Sequence, residues 1–85
     1  MDFIRADESP DPPLTPLHLL PLQQRRIVEA IDLIEQATGE PCSVRLLARR
    51  FRLHHSTVQD HVCALHRKGW LKSSHAPLLL RQRPR

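Results

Sequence analysis

Between Ser43 and Gly69 the sequence holds two short apolar periods of helical spacing, separated only by Arg52-Leu53-His54-His55. Val44, Leu47, Ala48 and Phe51 recur at three, one and three residues; Val58, Val62 and Leu65 recur at four and three. A break this short forces two helices to cross steeply, each covering the apolar face of the other. Leu53 lies inside the break, and Ala48 is small where the two helices must approach. Ser43 precedes the first period as an N-cap residue, and Gly69 follows the second as a stop.

A longer period runs upstream from Leu22 to Thr38. Ile27, Ile31 and Ile34 form its stripe, Ala30 and Leu33 widen it, Pro21 stands at its start and Gly39 at its end. Downstream of Gly69 the pattern changes to two short strand candidates, Trp70–Ser73 and Leu78–Arg81, around Ser74-His75-Ala76-Pro77. The expected fold is mainly α with a small β-hairpin over residues 17–82. It is a winged helix-turn-helix, with a three-helix core plus a two-stranded wing. Residues 1–16 are acidic and proline-rich and read as a disordered tail, and residues 83–85 as a basic end.

Charge points to the ligand class. Asp2, Asp7, Glu8 and Asp11 against Arg5 give residues 1–16 a net of −3, so the remainder carries +7 of the overall +4. A sequence pI near 10.0 on 85 residues favours a polyanionic partner. Aromatic side chains are few (Phe3, Phe51, Trp70, no Tyr), which disfavours a base-stacking platform for single strands and leaves duplex DNA. Full protonation of the six histidines would take the charge from +4 to +10, so acidification should strengthen DNA binding.

Other classes lose ground. No apolar run has membrane-spanning length, and the acidic start is unlike a signal peptide. The two cysteines, Cys42 and Cys63, make no disulfide framework, so a cytoplasmic, nucleoid-associated protein is expected. His54, His55, His61, Cys63 and His66 are crowded, but four ligands for a structural zinc cannot be assembled on one side of a helix, and no metal or cofactor is expected. No nucleophile elbow, zincin or phosphate-loop motif is present, so the chain reads as a non-enzyme with no small-molecule ligand.

The segment QQRRIVEAIDLIEQATGEPCSVRLLARRF, beginning at Gln23, resembles the opening of the LexA repressor's DNA-binding domain. HSTVQDHVCALHRKGWL, from His55, is similar to that family's Ser-Thr-Val, Leu and Lys-Gly stretch. The resemblance covers roughly residues 20–81. The turn Arg52–His55 looks one residue shorter than the family's, and the sequence has no room for the repressor's Ser-Lys self-cleaving domain, so self-cleavage is not expected.

The resemblance implies a set of contacts, and the residue chemistry agrees with them. Ser43 and Arg45 would hold a phosphate. Ser56, Thr57, Gln59 and Asp60 would lie in the first turns of a recognition helix (about 56–68), with Gln59 pairing with adenine and Asp60 accepting from cytosine N4. His54 and His55 would donate to phosphate or base, and Cys63 and Arg67 would face the groove or its wall. Lys72, Ser73, Ser74 and His75 would form the wing's contact.

The expected function is sequence-specific binding of double-stranded DNA, as a repressor that occludes a promoter. A homodimer would read a palindrome, paired through Leu78-Leu79-Leu80 or the first helix. A plasmid or phage replication or partition factor, and a winged-helix protein-interaction module, are the alternatives.

Overall fold

The computed structural model describes residues 13–84. The first twelve residues of the expected tail and Arg85 lie outside the described residues. Helix α1 spans Leu22–Thr38, α2 spans Val44–Phe51 and α3 spans His55–Arg67, with a 3-10 turn at Leu17–Leu19 just before α1. These bounds follow the apolar periods closely because each end carries its own stop. Gly39 closes α1 in the left-handed conformation (φ 73°), its N–H bonded to the Glu35 carbonyl at 2.7 Å. The Ser43 hydroxyl accepts from the Leu46 N–H at 3.2 Å and opens α2. Gly69 turns the chain after α3 with φ 88°.

The three helices share one core. Ile27, Val28 and Ile31 of α1 meet Leu47 of α2 and Val58, Val62 and Leu65 of α3, all with no exposed surface. Each such side chain contributes roughly 1.5–3 kcal/mol through removal from water, so this cluster dominates the stability of a small domain. Phe51 and Leu53 pack at its edge and flank the turn between α2 and α3. Leu78 is buried within the same core, so the expectation that it pairs protomers does not hold.

The wing differs from the expected two-stranded hairpin. Among the described residues no strand forms; two isolated antiparallel bridges, Leu71 with Leu80 and Cys42 with Leu78, take its place. Hydrogen bonds from Lys72 N–H to the Leu79 carbonyl (2.9 Å) and from Arg81 N–H to the Trp70 carbonyl (3.0 Å) bracket the first bridge. In this register the Leu78 N–H faces away from the Trp70–Ser73 segment, and it donates to the Cys42 carbonyl at 2.9 Å, in the connection between α1 and α2. The segment is therefore pinned at both ends of its turn, and Ala76–Pro77 adopts a cis peptide bond within it.

The packing also reaches upstream of residue 17. The Thr15 N–H donates to the Lys68 carbonyl at 2.9 Å, and the Trp70 indole donates to the Thr15 carbonyl at 2.7 Å. Leu14 and Leu17 pack against the core beside these bonds. At the other end Arg83 reaches Asp32 of α1 at 3.1 Å.

Candidate nucleic-acid interface

Helix α3 has one buried stripe, Val58, Val62 and Leu65, and presents the opposite stripe outward. At 100° per residue that outward stripe is Ser56, Asp60, Cys63 and Arg67, flanked by Thr57 and Gln59. Ser56, Thr57, Asp60 and Arg67 are exposed, while Gln59 and Cys63 are half-buried. The polar residues assigned to the recognition helix thus share one side of it. A helix of this width fits a major groove, and residues in its first turns are the ones that reach base edges.

Histidine 54 plays a part that its sequence position did not reveal. It is the N-cap of α3: its Nδ1 accepts from the Ser56 N–H at 3.2 Å, and the Ser56 hydroxyl lies 2.9 Å from the same nitrogen. An imidazole that accepts at Nδ1 carries its proton at Nε2, so the exposed ring offers an Nε2–H donor beside the helix start. His55, the first residue of α3, is also exposed.

Gln59 is placed differently from a free reader of adenine. Its Nε2 donates to the Ser74 carbonyl at 2.7 Å and lies 3.5 Å from Cys63 Sγ. A carbonyl can only accept, so the amide nitrogen is fixed toward the wing, one of its two N–H groups on Ser74 and the other toward Cys63, and a bidentate pair with adenine would have to displace these contacts. The same contact draws the loop onto α3 and half-covers Cys63. Sequence alone gave no sign of it, because the partner is a backbone atom fifteen positions away.

Elsewhere the assigned residues are spread around this helix. Arg45 is exposed on α2, and half-buried Ser43 is occupied as its cap through the hydroxyl lone pair. In the wing, Lys72 and His75 are exposed, and the Ser73 hydroxyl donates to the His75 carbonyl at 2.9 Å to close the loop. Among the described residues no three His, Cys, Asp or Glu side chains are grouped as a metal ion would require. No helix among them is long and apolar enough to cross a membrane.

The charge is more polarised than the two-part division of the sequence suggests. From residue 43 onward Asp60 is the single acid against ten Arg and Lys residues, whereas Glu29, Asp32, Glu35 and Glu40 fall on α1 or just after it. The helix pair and the wing therefore form the basic half of the domain.

A model of the LexA DNA-binding domain matches residues 18–77, more than half of the chain. The chain belongs to the LexA DNA-binding domain family. A search of curated proteins found no match. The LexA-type match spans α1, both helices of the turn motif and the wing up to its cis peptide, and so takes in the basic half just described. It supports DNA as the partner of this domain, in keeping with the exposed polar side chains and cations along α3.

Proposed function

We propose that this LexA-type domain binds a specific double-stranded DNA site as a transcriptional repressor and acts by occluding a promoter. The observation that carries the reading is the family match across residues 18–77, which includes the whole outward stripe of α3. In this reading α3 lies in the major groove, where Ser56, Thr57 and Asp60 meet base edges and Asp60 accepts from cytosine N4. Arg45, His55 and Arg67, with the Ser43 hydroxyl proton and His54 Nε2–H, hold phosphates on either side. The wing, through Lys72, Ser73 and His75, follows the adjacent backbone or minor groove. Gln59 keeps that wing in register with α3 through Ser74, and Cys63 lies beneath the contact.

Two copies would read a palindrome with half-sites about one helical turn apart. Leu22 and Leu33 of α1, both more than half exposed, supply apolar surface for such pairing. The test is selection of binding sites from a random duplex pool, followed by anisotropy titrations of the selected site over a range of salt. An enriched palindrome, bound more tightly than random duplex and with a steep salt dependence, supports the reading. Recovery of no common sequence would overturn site-specific binding, and activation rather than loss of transcription from a promoter carrying the site would overturn occlusion.

A further inference from the structure

Arg52 occupies the one strained backbone position among the described residues. Its φ of 56° and ψ of 43° are left-handed, and it is the only non-glycine there with positive φ. The turn requires that conformation: the Arg52 N–H bonds to the Arg49 carbonyl at 3.4 Å, and the Leu53 N–H bonds to the Ala48 carbonyl at 3.0 Å. It does not require an arginine. Glycine adopts this region freely, whereas a residue with a Cβ is disfavoured in it.

Nothing among the described residues compensates for that choice. Phe51 and Leu53 on either side turn toward the core, while Arg52 is exposed. Among the described residues its guanidinium has no ion pair and no hydrogen bond. Its main-chain contacts would be made equally well by glycine. Backbone strain of this kind clusters at functional sites such as ligand clamps.

The place of Arg52 identifies the ligand. It stands two residues before His54, whose Nε2–H is exposed, and follows Arg49, which is exposed on α2. We infer that Arg52 is a phosphate-contact residue of the DNA interface, held in a left-handed turn position where glycine would relax the backbone. This rests on the DNA-binding reading above. A planar guanidinium suits a phosphate by forked hydrogen bonding. In this motif the first helix crosses the DNA backbone and the N-terminal residues of the second meet base edges, so the turn that leads into the second helix lies beside the duplex.

The test uses the full chain and a labelled random duplex as the probe, titrated by fluorescence anisotropy at several salt concentrations, together with thermal melts. Arg52→Gly should leave the melting temperature unchanged or raise it by a few degrees. Its affinity near 0.1 M salt should fall about five- to tenfold, and the slope of log K against log salt should become shallower by about 0.9. Arg52→Lys should keep the slope of the parent chain. Arg26→Ala, which removes the same charge from α1, calibrates the loss from net charge alone.

A parent-like affinity and slope in Arg52→Gly, or a loss no larger than that of Arg26→Ala, would overturn the inference. So would a lowered melting temperature, which would make Arg52 part of the fold. Failure of the parent chain itself to bind the duplex in a salt-dependent way is a different result: it removes the DNA-binding reading and the role of Arg52 with it.

Discussion

Gln59 of α3 and Ser74 of the wing are joined by a 2.7 Å hydrogen bond, from the side-chain amide to the backbone carbonyl, across fifteen positions of sequence. The bond couples the two elements expected to touch DNA. The wing has one bridge to its own second half and one to the α1–α2 connection, so its tip has few other constraints on its angle to α3.

Gln59→Ala is therefore expected to weaken binding on every duplex by a similar factor. The loss of one net hydrogen bond, about 0.5–1.5 kcal/mol, corresponds to roughly two- to tenfold. The base preference of a selected site should stay the same. Site selection with the variant checks this: a relaxed preference at one base position would show that Gln59 reads a base and that the wing contact is incidental.

Asp60 is expected to behave in the opposite way. It is the one acid in the basic half of the domain, and it is exposed on the outward stripe of α3. Asp60→Asn removes a charge that repels phosphates, so affinity for random duplex should rise. Discrimination at the base pair it meets should fall by about 1–3 kcal/mol. Paired titrations on the selected site and on random DNA measure both quantities; parallel changes on the two would place Asp60 outside the base contacts.

Much of this molecule was legible in the order of its residues. The bounds of α1 and α2 follow from Gly39 and Ser43, because a left-handed stop and a hydroxyl cap are local signals. The buried stripe of α3 follows from the spacing of Val58, Val62 and Leu65. What stayed hidden depends on atoms that composition does not describe. Gln59 and Trp70 both donate to backbone carbonyls far away in sequence, and any residue can offer a carbonyl. The bridge from Leu78 to Cys42 ties the wing to the α1–α2 connection, a contact between distant segments that alternating hydrophobicity cannot show. His54 could be read as a donor, but its role as a cap depends on the rotamer that brings Nδ1 to the Ser56 N–H.

That cap leads to a separable prediction. His54→Ala removes an acceptor from the first turn of α3 and should destabilise the domain by about 1 kcal/mol. His54→Asn replaces one cap with another and should recover most of the stability while still lacking the Nε2–H donor. Urea denaturation and DNA titration of the two variants separate the roles. Stability restored without affinity assigns the outward nitrogen to DNA, and recovery of both would limit His54 to its cap.

Trp70 reports on the segment ahead of α1. Its ring is almost fully buried and its indole N–H is bonded to Thr15, whose own N–H is bonded to Lys68. Trp70→Phe keeps an aromatic ring but leaves the Thr15 carbonyl without that donor, and should cost about 1–3 kcal/mol. Removal of residues through Thr15 should cost a similar amount and shift the fluorescence of the only tryptophan to the red as water reaches the indole. An unchanged emission maximum and midpoint in the truncated chain would show that the segment ahead of α1 contributes nothing to packing.

The two cysteines should differ in reactivity. Cys42 is buried, and burial pushes its thiol above the ordinary range, against a smaller opposing pull from hydrogen bonding at Ser43 and from the Arg50 charge. Cys63 is half-buried under the Gln59 contact. A thiol reagent at pH 8 should label Cys63 in the native domain and reach Cys42 only after unfolding, since the thiolate is the reactive form. The same shift has a consequence for stability. The folded state holds the Cys42 proton more tightly than the unfolded chain does, so its contribution is fully present below the unfolded thiol's pKa and is lost as pH rises above it. Cys42→Ala should remove that alkaline decline, at the cost of a small cavity beside Leu78. Equal labelling rates for both thiols, or an alkaline decline that persists in Cys42→Ala, would contradict the assignment.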